Sequence, residues 1–372
     1  MTIRAVLAGA GHAHLQLIAD AAALRRSGVA PILISPPVFQ YSGLATGVLS
    51  GAVEPHEAEI DVAALARHHG VEHRIGEVEK VSLGERKLSI TGGETLGFDA
   101  ISLNVGSGVR VPAALEGVPG VWPAKPLARL FALRRRLEAG FAADRRCPAL
   151  VVAGRGPTGY EIAAALAGLC ERHGIAPHIT LAGFGDVRTW APKGALAWLE
   201  AQLTRRGVVI LADRVEQIAG SRCTLASGRE LNCDALILAT GLAAPPLIAS
   251  LGLPVDGRGR LLTTPMLNAA GDPHVFATGD CGTIVIAPRP FAGVFGVRSA
   301  GTLAHNLAAL ADGGIFQTYR PQTNWLSIMD LGDGSGLALR GGAWWQGCAA
   351  LKLKRLIDRR FISRYRRRGR SA

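Results

Sequence analysis

Short continuous apolar runs, each followed by glycines and then by a longer amphipathic segment, recur along this chain. Residues 3–8 and 149–153 are such runs, and the segments after them have helical periodicity. Strands that are apolar on both faces are typical of parallel sheets covered by helices. Because a helical crossover joins neighbouring parallel strands with right-handed geometry, the pattern predicts an α/β fold with two β-turn-α-β units.

Similar patterns extend over most of the chain. The other predicted strands are 31–35, 77–82, 86–91, 101–105, 178–182, 207–211, 222–226, 234–239, 275–280, 323–329 and 336–340. The predicted helices are 12 to about 26, 60–69, 127–142, 157–173, 293–310 and a basic amphipathic helix near the C-terminus. Residues 39–51 are predicted to be irregular or a short helix, and the Pro/Gly-rich residues 117–126 to be a linker.

Composition narrows the class of protein. With 372 residues, 48% of them hydrophobic, the chain is long enough for two domains and a tail. No stretch of about 18 residues is free of charges or helix breakers, so no membrane-spanning helix is predicted. The N-terminal residues resemble a signal peptide, but a strand, turn and helix explain them better, which favours a cytoplasmic protein.

Two glycine-rich turns carry the candidate chemistry. The first reads G-A-G-H-A-H at 9–14, and the second reads G-R-G-P-T-G at 154–159. Each follows a predicted strand and precedes a predicted helix, where backbone N–H groups can hold a pyrophosphate. Two such turns in one chain predict two dinucleotides and electron transfer between them.

Both turns depart from the usual dinucleotide fingerprint. His14 stands at the third glycine position of the first turn, and Ser35 ends the next strand, where a ribose-binding carboxylate is usual. The second turn has all three glycines, but residues 181–183 supply no carboxylate. Arg155 or Arg188 could instead serve the 2′-phosphate of NADPH, so the choice between NADH and NADPH stays open.

The order of the motifs carries a resemblance to a known family. N-V-G-S at 104–107 follows the first turn, and A-T-G at 239–241 and A-T-G-D at 277–280 follow the second. This order resembles the pyridine nucleotide–disulfide oxidoreductase superfamily of flavoproteins. G-A-G-H-A-H-L at 9–15 and three further segments look like NADH-dehydrogenase-like flavoproteins, including the module fused to selenide, water dikinase. Those segments are I-S-P-P-V-F-Q-Y-S-G-L at 34–44, A-G-V-F-G-V-R at 292–298 and L-I-D-R-R-F-I-S-R-Y at 356–365.

The resemblance implies two Rossmann-like domains, with an NAD(P)H-binding domain inserted in a discontinuous FAD-binding domain. The implied FAD-binding parts are 1–117 and 246–320, the NAD(P)H-binding domain is 118–245, and 321–372 is a C-terminal segment for membrane or partner docking. The implied FAD contacts are Gly9, Gly11, His12 and His14 at the pyrophosphate, Ser35 near the adenosine ribose, Gly279 and Asp280 at the ribityl chain, and Gly106 and Ser107. The implied NAD(P)H contacts are Gly154, Gly156, Gly159, Glu161, Thr240 and Gly241.

The six cysteines separate the subclasses of this superfamily. Its disulfide reductases carry C-x4-C or C-x-x-C beside the flavin because a thiolate must attack there, and this chain has neither spacing. A sulfide:quinone oxidoreductase would also need placed cysteines, and this alternative requires Cys147 and Cys348 to meet. Cys281, next to Asp280, is interpreted as a small buried residue. No metal site is expected, and His68, His69 and His73 are interpreted as a helix end at the surface.

The positive charge is concentrated in the tail. Residues 352–372 hold ten Lys/Arg against Asp358 alone, so they carry nine of the twelve net positive charges. Leu353, Ile357, Phe361 and Tyr365 form an i,i+4 apolar stripe. Residues 344–370 therefore fit an anionic membrane surface, or equally a helix docked on the protein with its charges solvated. Nucleic-acid binding is not expected, because no nucleic-acid-binding fold accompanies the charge.

These features predict an FAD-dependent oxidoreductase that passes hydride from the nicotinamide of NAD(P)H to the flavin and on to an acceptor. The resemblance makes quinone the predicted acceptor, with peripheral association at the inner face of the cell membrane. Type II NADH dehydrogenases carry a glutamine pair, A-Q-x-A-x-Q, near the flavin. The corresponding residues 295–299 contain none, and Arg298 stands there. The alternatives are a sulfide:quinone oxidoreductase-like enzyme and a slow-turnover flavin-binding redox sensor or assembly partner.

Overall fold

The computed structural model describes residues 2–184 and 190–368. In chain order the strands are β1 (Ile3–Ala8), β2 (Val29–Ser35), β3 (Val38–Gln40), β4 (Glu59–Asp61), β5 (Glu72–Ile75), β6 (Val78–Ser82), β7 (Lys87–Ile90), β8 (Thr95–Gly97), β9 (Ala100–Leu103), β10 (Gly108–Val109), β11 (Val121–Pro123), β12 (Leu150–Ala153), β13 (Ile179–Ala182), β14 (Val208–Leu211), β15 (Val215–Ala219), β16 (Arg222–Leu225), β17 (Glu230–Asn232), β18 (Ala235–Leu238), β19 (Leu242–Ala243), β20 (Leu261–Thr263), β21 (Asn268–Ala269), β22 (Asp272–Ala277), β23 (Gly282–Ile284), β24 (Leu326–Asp330), β25 (Gly336–Arg340) and β26 (Ala343–Gly347). The helices are α1 (His12–Ala19), α2 (Ala21–Arg26), α3 (Ala45–Leu49), α4 (Val62–His68), α5 (Leu127–Asp144), α6 (Pro157–Arg172), α7 (Lys193–Arg205), α8 (Pro246–Ala249), α9 (Gly293–Asp312) and α10 (Cys348–Arg368).

An eight-stranded sheet draws its strands from two distant parts of the chain. Its order is β23-β20-β21-β22-β9-β1-β2-β5, and the five strands from β22 to β5 are parallel. Leu103 lies opposite both Ala8 and Ala277 in the register. The carboxyl ends of β1, β9 and β22 therefore meet at one edge, which is where ligands bind in open α/β sheets.

A second, five-stranded sheet comes from residues 121–238, between the two parts of the first. Its order is β11-β18-β12-β13-β14, and every pairing is parallel. The predicted two-domain α/β class, with one unit inserted in the other, is confirmed by this arrangement. The predicted linker at 117–126 is wrong in one respect, because Val121–Pro123 forms the edge strand β11. Proline is tolerated there since an edge strand can lack one ladder donor.

Several predicted elements differ in detail. The helix predicted from 12 to about 26 is divided into α1 and α2 at Asp20. The segment predicted as helix 60–69 begins as strand β4, and α4 starts only at Val62, where Asp61 caps it by accepting the N–H of Ala64. Helix α7 was not predicted from the sequence.

The C-terminal segment is a three-stranded antiparallel sheet, β24-β25-β26, followed by the long helix α10. Lys354 and Asp358 are buried on the inner face of α10 and form an ion pair of 2.8 Å. Tyr41 donates its hydroxyl to the same carboxylate at 2.9 Å, and its ring stacks on Phe361 with centroids 4.7 Å apart. The helix is thus docked on the protein, and the predicted apolar stripe is divided, because Tyr365 is buried while Ile357 is 46% exposed.

None of the described helices combines the length and the apolar character needed to cross a membrane.

Candidate functional site

The first glycine turn, between β1 and α1, closes on Asn104. Asn104 Oδ1 accepts the backbone N–H of Ala13 at 3.0 Å and of His14 at 3.4 Å, and Nδ2 donates to the Thr278 carbonyl at 2.7 Å. A Cβ at Gly11 would lie 2.3 Å from Asn104 Oδ1. Glycine is therefore required at position 11 by this side chain, whatever ligand the turn holds. Sequence reasoning noted Asn104 only as a motif letter and missed its role.

His14 faces inward. Its Nδ1 lies 2.6 Å from the Gly9 carbonyl oxygen, its Nε2 lies 2.8 Å from Ser102 Oγ, and the side chain is fully buried. Since the carbonyl can only accept, Nδ1 carries the proton and Nε2 accepts the serine hydroxyl. Burial lowers the pKa of His14 to about 4, so the ring is neutral. Both ring nitrogens thus have partners within the protein, and the expected contact of His14 with the pyrophosphate stays a prediction.

His12 lies in an aromatic cluster that joins three parts of the chain. Its ring centroid is 5.4 Å from that of Phe39, 5.7 Å from Tyr41 and 5.3 Å from Phe361. A Cβ on Gly293, the first residue of α9, would approach the ring to 3.2 Å. Burial lowers the pKa of His12 to about 4. The imidazole therefore packs as a neutral ring, and its contact with a cofactor stays a prediction.

Ser107 and Asp280, two of the implied FAD contacts, lie together at the carboxyl edge of the first sheet, and their contact with FAD stays a prediction. Ser107 Oγ donates to Asp280 Oδ2 at 2.6 Å, and Lys125 Nζ reaches the same oxygen at 3.2 Å. Gly106, with φ +72°, has open space where a Cβ would stand. Sequence reasoning missed Lys125, whose only signal was a cation in the Pro/Gly-rich segment.

Ser35 ends β2 at the same edge of the sheet. Its hydroxyl donates to the Pro36 carbonyl at 2.9 Å and lies 3.1 Å from Nε2 of His73. The interpretation of His73 as part of a surface helix end is wrong, because it lies in β5 beside Ser35. The described residues contain no group of three His, Cys, Asp or Glu side chains able to hold a metal ion.

The second glycine turn has the same plan at the carboxyl ends of β12 and β18. A Cβ at Gly154 would lie 2.2 Å from the Ala239 carbonyl oxygen, and one at Gly159 would lie 1.8 Å from the Gly154 carbonyl oxygen. Gly156, at the start of α6, has no atom within 4 Å of that position. The first and third glycines are thus required by packing, while the second leaves a cradle open beside the helix N-terminus.

The residues around this cradle do not decide between NADH and NADPH. The Arg155 guanidinium is paired with Glu200 at 2.7 Å, and Arg188 lies outside the described residues. Thr240 donates to the Arg110 carbonyl at 3.4 Å. Gly241, with φ +111°, has open space around it. The Thr240 backbone nitrogen lies 3.2 Å from the Cβ position of Gly154. The contact of Thr240 and Gly241 with NAD(P)H stays a prediction, and the NADH or NADPH choice stays open.

The Glu161 side chain in α6 reaches the C-terminal segment. Its carboxylate accepts the backbone N–H of Asp330 at 3.1 Å. Burial raises the pKa of Glu161 to about 7, the positive charge of Lys354 opposes that rise, and Asp330 and Asp358 add to it. Glu161 thus belongs to a charged cluster with Asp330, Lys354 and Asp358, and its expected contact with NAD(P)H stays a prediction.

The cysteines do not form a reactive pair at either turn. Cys147 lies 3.5 Å from Cys170, sulfur to sulfur, in the hydrophobic core that packs against the second sheet, while Cys348 is exposed at the start of α10. The Cys281 thiol donates to the Leu103 carbonyl at 3.3 Å, and burial raises its pKa to about 12. A thiol with such a pKa is a poor nucleophile at neutral pH, so Cys281 is a buried structural residue as predicted.

The first turn fits FAD in its chemistry. Thr278 Oγ1 is buried and has no hydrogen-bond partner within the described part of the chain. The open positions beside Gly106, the helix start at His12 and the Asp280 carboxylate supply space, N–H donors and an acceptor for hydroxyl groups. FAD, when bound there, supplies the site that accepts hydride and releases electrons.

Replacing His14 tests whether the side chain serves the fold or the cofactor. His14→Ala leaves the Gly9 carbonyl and the Ser102 hydroxyl unpaired in the core. We expect the free energy of unfolding of the cofactor-free protein to fall by roughly 2–4 kcal/mol, as measured with denaturant. Ser102→Ala, which removes one of the two bonds, should cost less. Unchanged stability with weaker FAD binding would contradict this account.

The pH dependence of the free energy of unfolding tests the environment of the Glu161 carboxyl group. The folded pKa of about 7 lies above the ordinary value of 4.5, so between these values the folded protein holds a proton that the unfolded chain has lost. The free energy of unfolding therefore falls as pH rises through this window, by up to roughly 3 kcal/mol. Glu161→Gln keeps the acceptor for Asp330 and cannot ionise. Its unfolding midpoint should exceed that of wild type increasingly from about pH 5 to 8; a constant difference would contradict the burial.

Comparison with known proteins agrees with two dinucleotide-binding turns in one chain. Residues 4–310 match the family model described as Pyridine nucleotide-disulphide oxidoreductase. The nitric oxide reductase FlRd-NAD(+) reductase of Vibrio vulnificus (strain YJ016) is 30% identical over 253 residues, which are 66% of this chain and 62% of that protein. The type II NADH:quinone oxidoreductase NdhA of Mycobacterium tuberculosis (strain ATCC 25618 / H37Rv) is 28% identical over 326 residues, 74% of this chain and 66% of that protein.

A solved structure extends the likeness in fold. The sulfide:quinone oxidoreductase from Aquifex aeolicus superposes with a TM-score of 0.82 at 15% identity, over 99% of this chain and 92% of that one. The chain spans less than two thirds of the length of the Vibrio reductase. The finer resemblance to the module fused to selenide, water dikinase stays a prediction. The chain belongs to the pyridine nucleotide-disulphide oxidoreductase family, with FAD as its cofactor.

Proposed function

We propose that the protein is an FAD-dependent NAD(P)H oxidoreductase that passes hydride from nicotinamide to flavin and electrons on to an acceptor. The observation that carries this proposal is the pair of glycine turns, each at the carboxyl edge of its own parallel sheet. The open space beside Gly106 and Gly156 supports one dinucleotide at each turn. The relatives named as NAD(+)- and NADH-linked reductases support the same assignment.

The chain's residues contribute position and electrostatics rather than a dedicated acid or base. The N-terminus of α6 at Gly156 would hold the nicotinamide cofactor's pyrophosphate, and Asp280 would accept hydrogen bonds from the hydroxyl chain of FAD. Neutral His12, packed against Phe39, Tyr41 and Phe361, would keep water from the first turn. Excluding water there would strengthen the attraction between the N-terminus of α1 and a bound pyrophosphate.

Quinone is the acceptor that we propose, and its support is the likeness to the mycobacterial type II NADH:quinone oxidoreductase. Near the start of α9, Phe295 and Arg298 lie within residues 295–299, the segment that corresponds to the glutamine pair of type II enzymes. Phe295 is buried against Trp325, with ring centroids 5.2 Å apart, and Arg298 is exposed. An acceptor site here would offer a guanidinium donor instead of amides.

The open cradle at Gly156 provides the test of the proposed function. Gly156→Val places a branched side chain in the space where a Cβ meets no protein atom, so the fold should survive while the pyrophosphate is excluded. We expect the variant to bind FAD like wild type and its anaerobic reduction by NADH or NADPH to slow by at least about a hundredfold. Stopped-flow absorbance of the flavin measures this.

A matched control is Gly140→Val, at a helix position in α5 that also has open space around it. It should be reduced at the wild-type rate. Reduction of Gly156→Val as fast as wild type would remove the second turn from the mechanism. Wild-type flavin that is reduced quickly but transfers its electrons to no quinone analogue would favour the slow-turnover sensor over the quinone reductase.

We also propose that the outer face of α10 binds an anionic membrane. Its support is the exposure of Leu356 (64%) and Ile357 (46%) between the exposed cations Lys352 and Arg360. Apolar residues flanked by cations are typical of interfacial helices, and each cation near an anionic surface adds about 1 kcal/mol. A quinone dissolved in the bilayer would then lie close to its reductase.

Acidic side chains in place of the two exposed apolar residues should weaken membrane binding. Leu356→Glu with Ile357→Glu is expected to reduce sedimentation with phosphatidylglycerol-containing vesicles by roughly tenfold or more. Ile286→Glu with Ile315→Glu, two exposed positions elsewhere, makes the same change in net charge and should leave binding near the wild-type level. Equal losses in both double variants would mean that net charge alone, and not this face, governs binding.

A further inference from the structure

We propose that Lys125 is a positioning residue for FAD: it reaches from the second sheet to hold the Asp280 carboxylate at the cofactor's hydroxyl chain. The inference rests on the proposed role of Asp280 as the ribityl contact. It adds a residue that the sequence motifs do not contain, and it connects the nicotinamide-binding unit with the flavin site through one ion pair.

The backbone of Lys125 belongs to the second sheet. It follows β11 directly, and the N–H of the preceding residue, Ala124, donates to the Leu238 carbonyl of β18 at 3.0 Å. Asp280 follows β22 of the first sheet, 155 residues later in the chain. The side chain of Lys125 therefore crosses from one sheet to the other, and its ammonium position depends on how the two units are oriented.

Two polar groups converge on a single oxygen of Asp280 and are hydrogen-bonded to each other. Lys125 Nζ lies 3.2 Å from Oδ2 and 2.8 Å from Ser107 Oγ, and Ser107 donates to Oδ2 at 2.6 Å. No donor among residues 2–184 and 190–368 is hydrogen-bonded to Oδ1. One carboxylate oxygen is thus held by the protein, while the other is left to accept a hydroxyl group. This division orients the carboxylate before the cofactor binds, which reduces the entropy lost on binding.

The pair is also sheltered enough for its charges to matter. The side chains of Lys125 and Asp280 are 23% and 16% exposed. Both charges act on the neighbouring His12, where Asp280 raises the pKa and Lys125 lowers it, although burial has the larger effect. Ionic interactions are stronger in such partly buried places than at the surface. Because reduction adds negative charge to the cofactor, the ammonium offsets the Asp280 charge that would otherwise oppose it.

The alternative is that the Lys125–Asp280 ion pair only stabilises the packing of the two units against each other. An ion pair that served only this purpose would stabilise the cofactor-free protein and leave the cofactor's affinity and potential unchanged. FAD affinity and midpoint potential therefore distinguish the two roles, because an ion pair that does not act on the cofactor leaves the flavin's midpoint potential unchanged.

The experiment compares wild type, Lys125→Met, Lys125→Arg and the control Lys87→Met, which removes a lysine that is 64% exposed on β7. Flavin fluorescence during titration of the cofactor-free protein gives the FAD dissociation constant, and spectroelectrochemistry gives the midpoint potential. We expect Lys125→Met to weaken FAD binding by roughly 10- to 100-fold, as for loss of a charged hydrogen bond. Its midpoint potential should fall, by about 30 mV for each tenfold that the reduced form is weakened more than the oxidised form.

Lys125→Arg keeps the charge and should keep a potential close to that of wild type, and Lys87→Met should match wild type in both measurements. If Lys125→Met fails to fold, Lys125→Gln removes the charge but keeps a polar side chain, and it should lower FAD affinity and midpoint potential in the same direction. A dissociation constant and potential within twofold and a few millivolts of wild type would overturn the role of Lys125. Wild type that binds FAD but is not reduced by either nicotinamide would overturn the proposed function alone.

Discussion

The hydrogen bonds of one buried amide side chain hold the first cofactor turn together. Asn104 accepts from the start of α1 and donates to the Thr278 carbonyl, so it joins the ends of β1, β9 and β22. Since Gly11 has to be glycine to make room for it, the turn and the amide depend on each other. The position of Asp280, two residues after Thr278, follows from this junction, and so does the candidate FAD contact.

Buried charge and aromatic rings extend this junction to the rest of the molecule. Lys125 links the Asp280 carboxylate to the second sheet, while His12 packs against the aromatic residues of α10 and the segment after β2. The charged cluster around Lys354 fastens α10 by the same means. Removing one partner of a buried ion pair is costly. These contacts therefore hold the two sheet edges that carry the glycine turns in one relative position.

The elements that the sequence predicted well are those with local causes. Apolar runs of strand length, glycines with positive φ and a proline at the first position of α6 depend on near neighbours, and both glycine turns were found from them. The inward rotation of His14, the direction of Glu161 and the reach of Lys125 depend on partners between 88 and 169 residues away. A lone sequence carries no signal for such pairings, and β11 was missed because the glycines and prolines around it resemble a linker.

The central claim is that two dinucleotides bind at the two turns and exchange a hydride. Anaerobic titration of the purified, flavin-loaded protein with NADH and then NADPH, followed by its visible spectrum, tests this claim most directly. The account predicts flavin absorbance that disappears at one equivalent of at least one of the two nucleotides. Bound flavin that neither nucleotide reduces would contradict the claim, even if both were shown to bind.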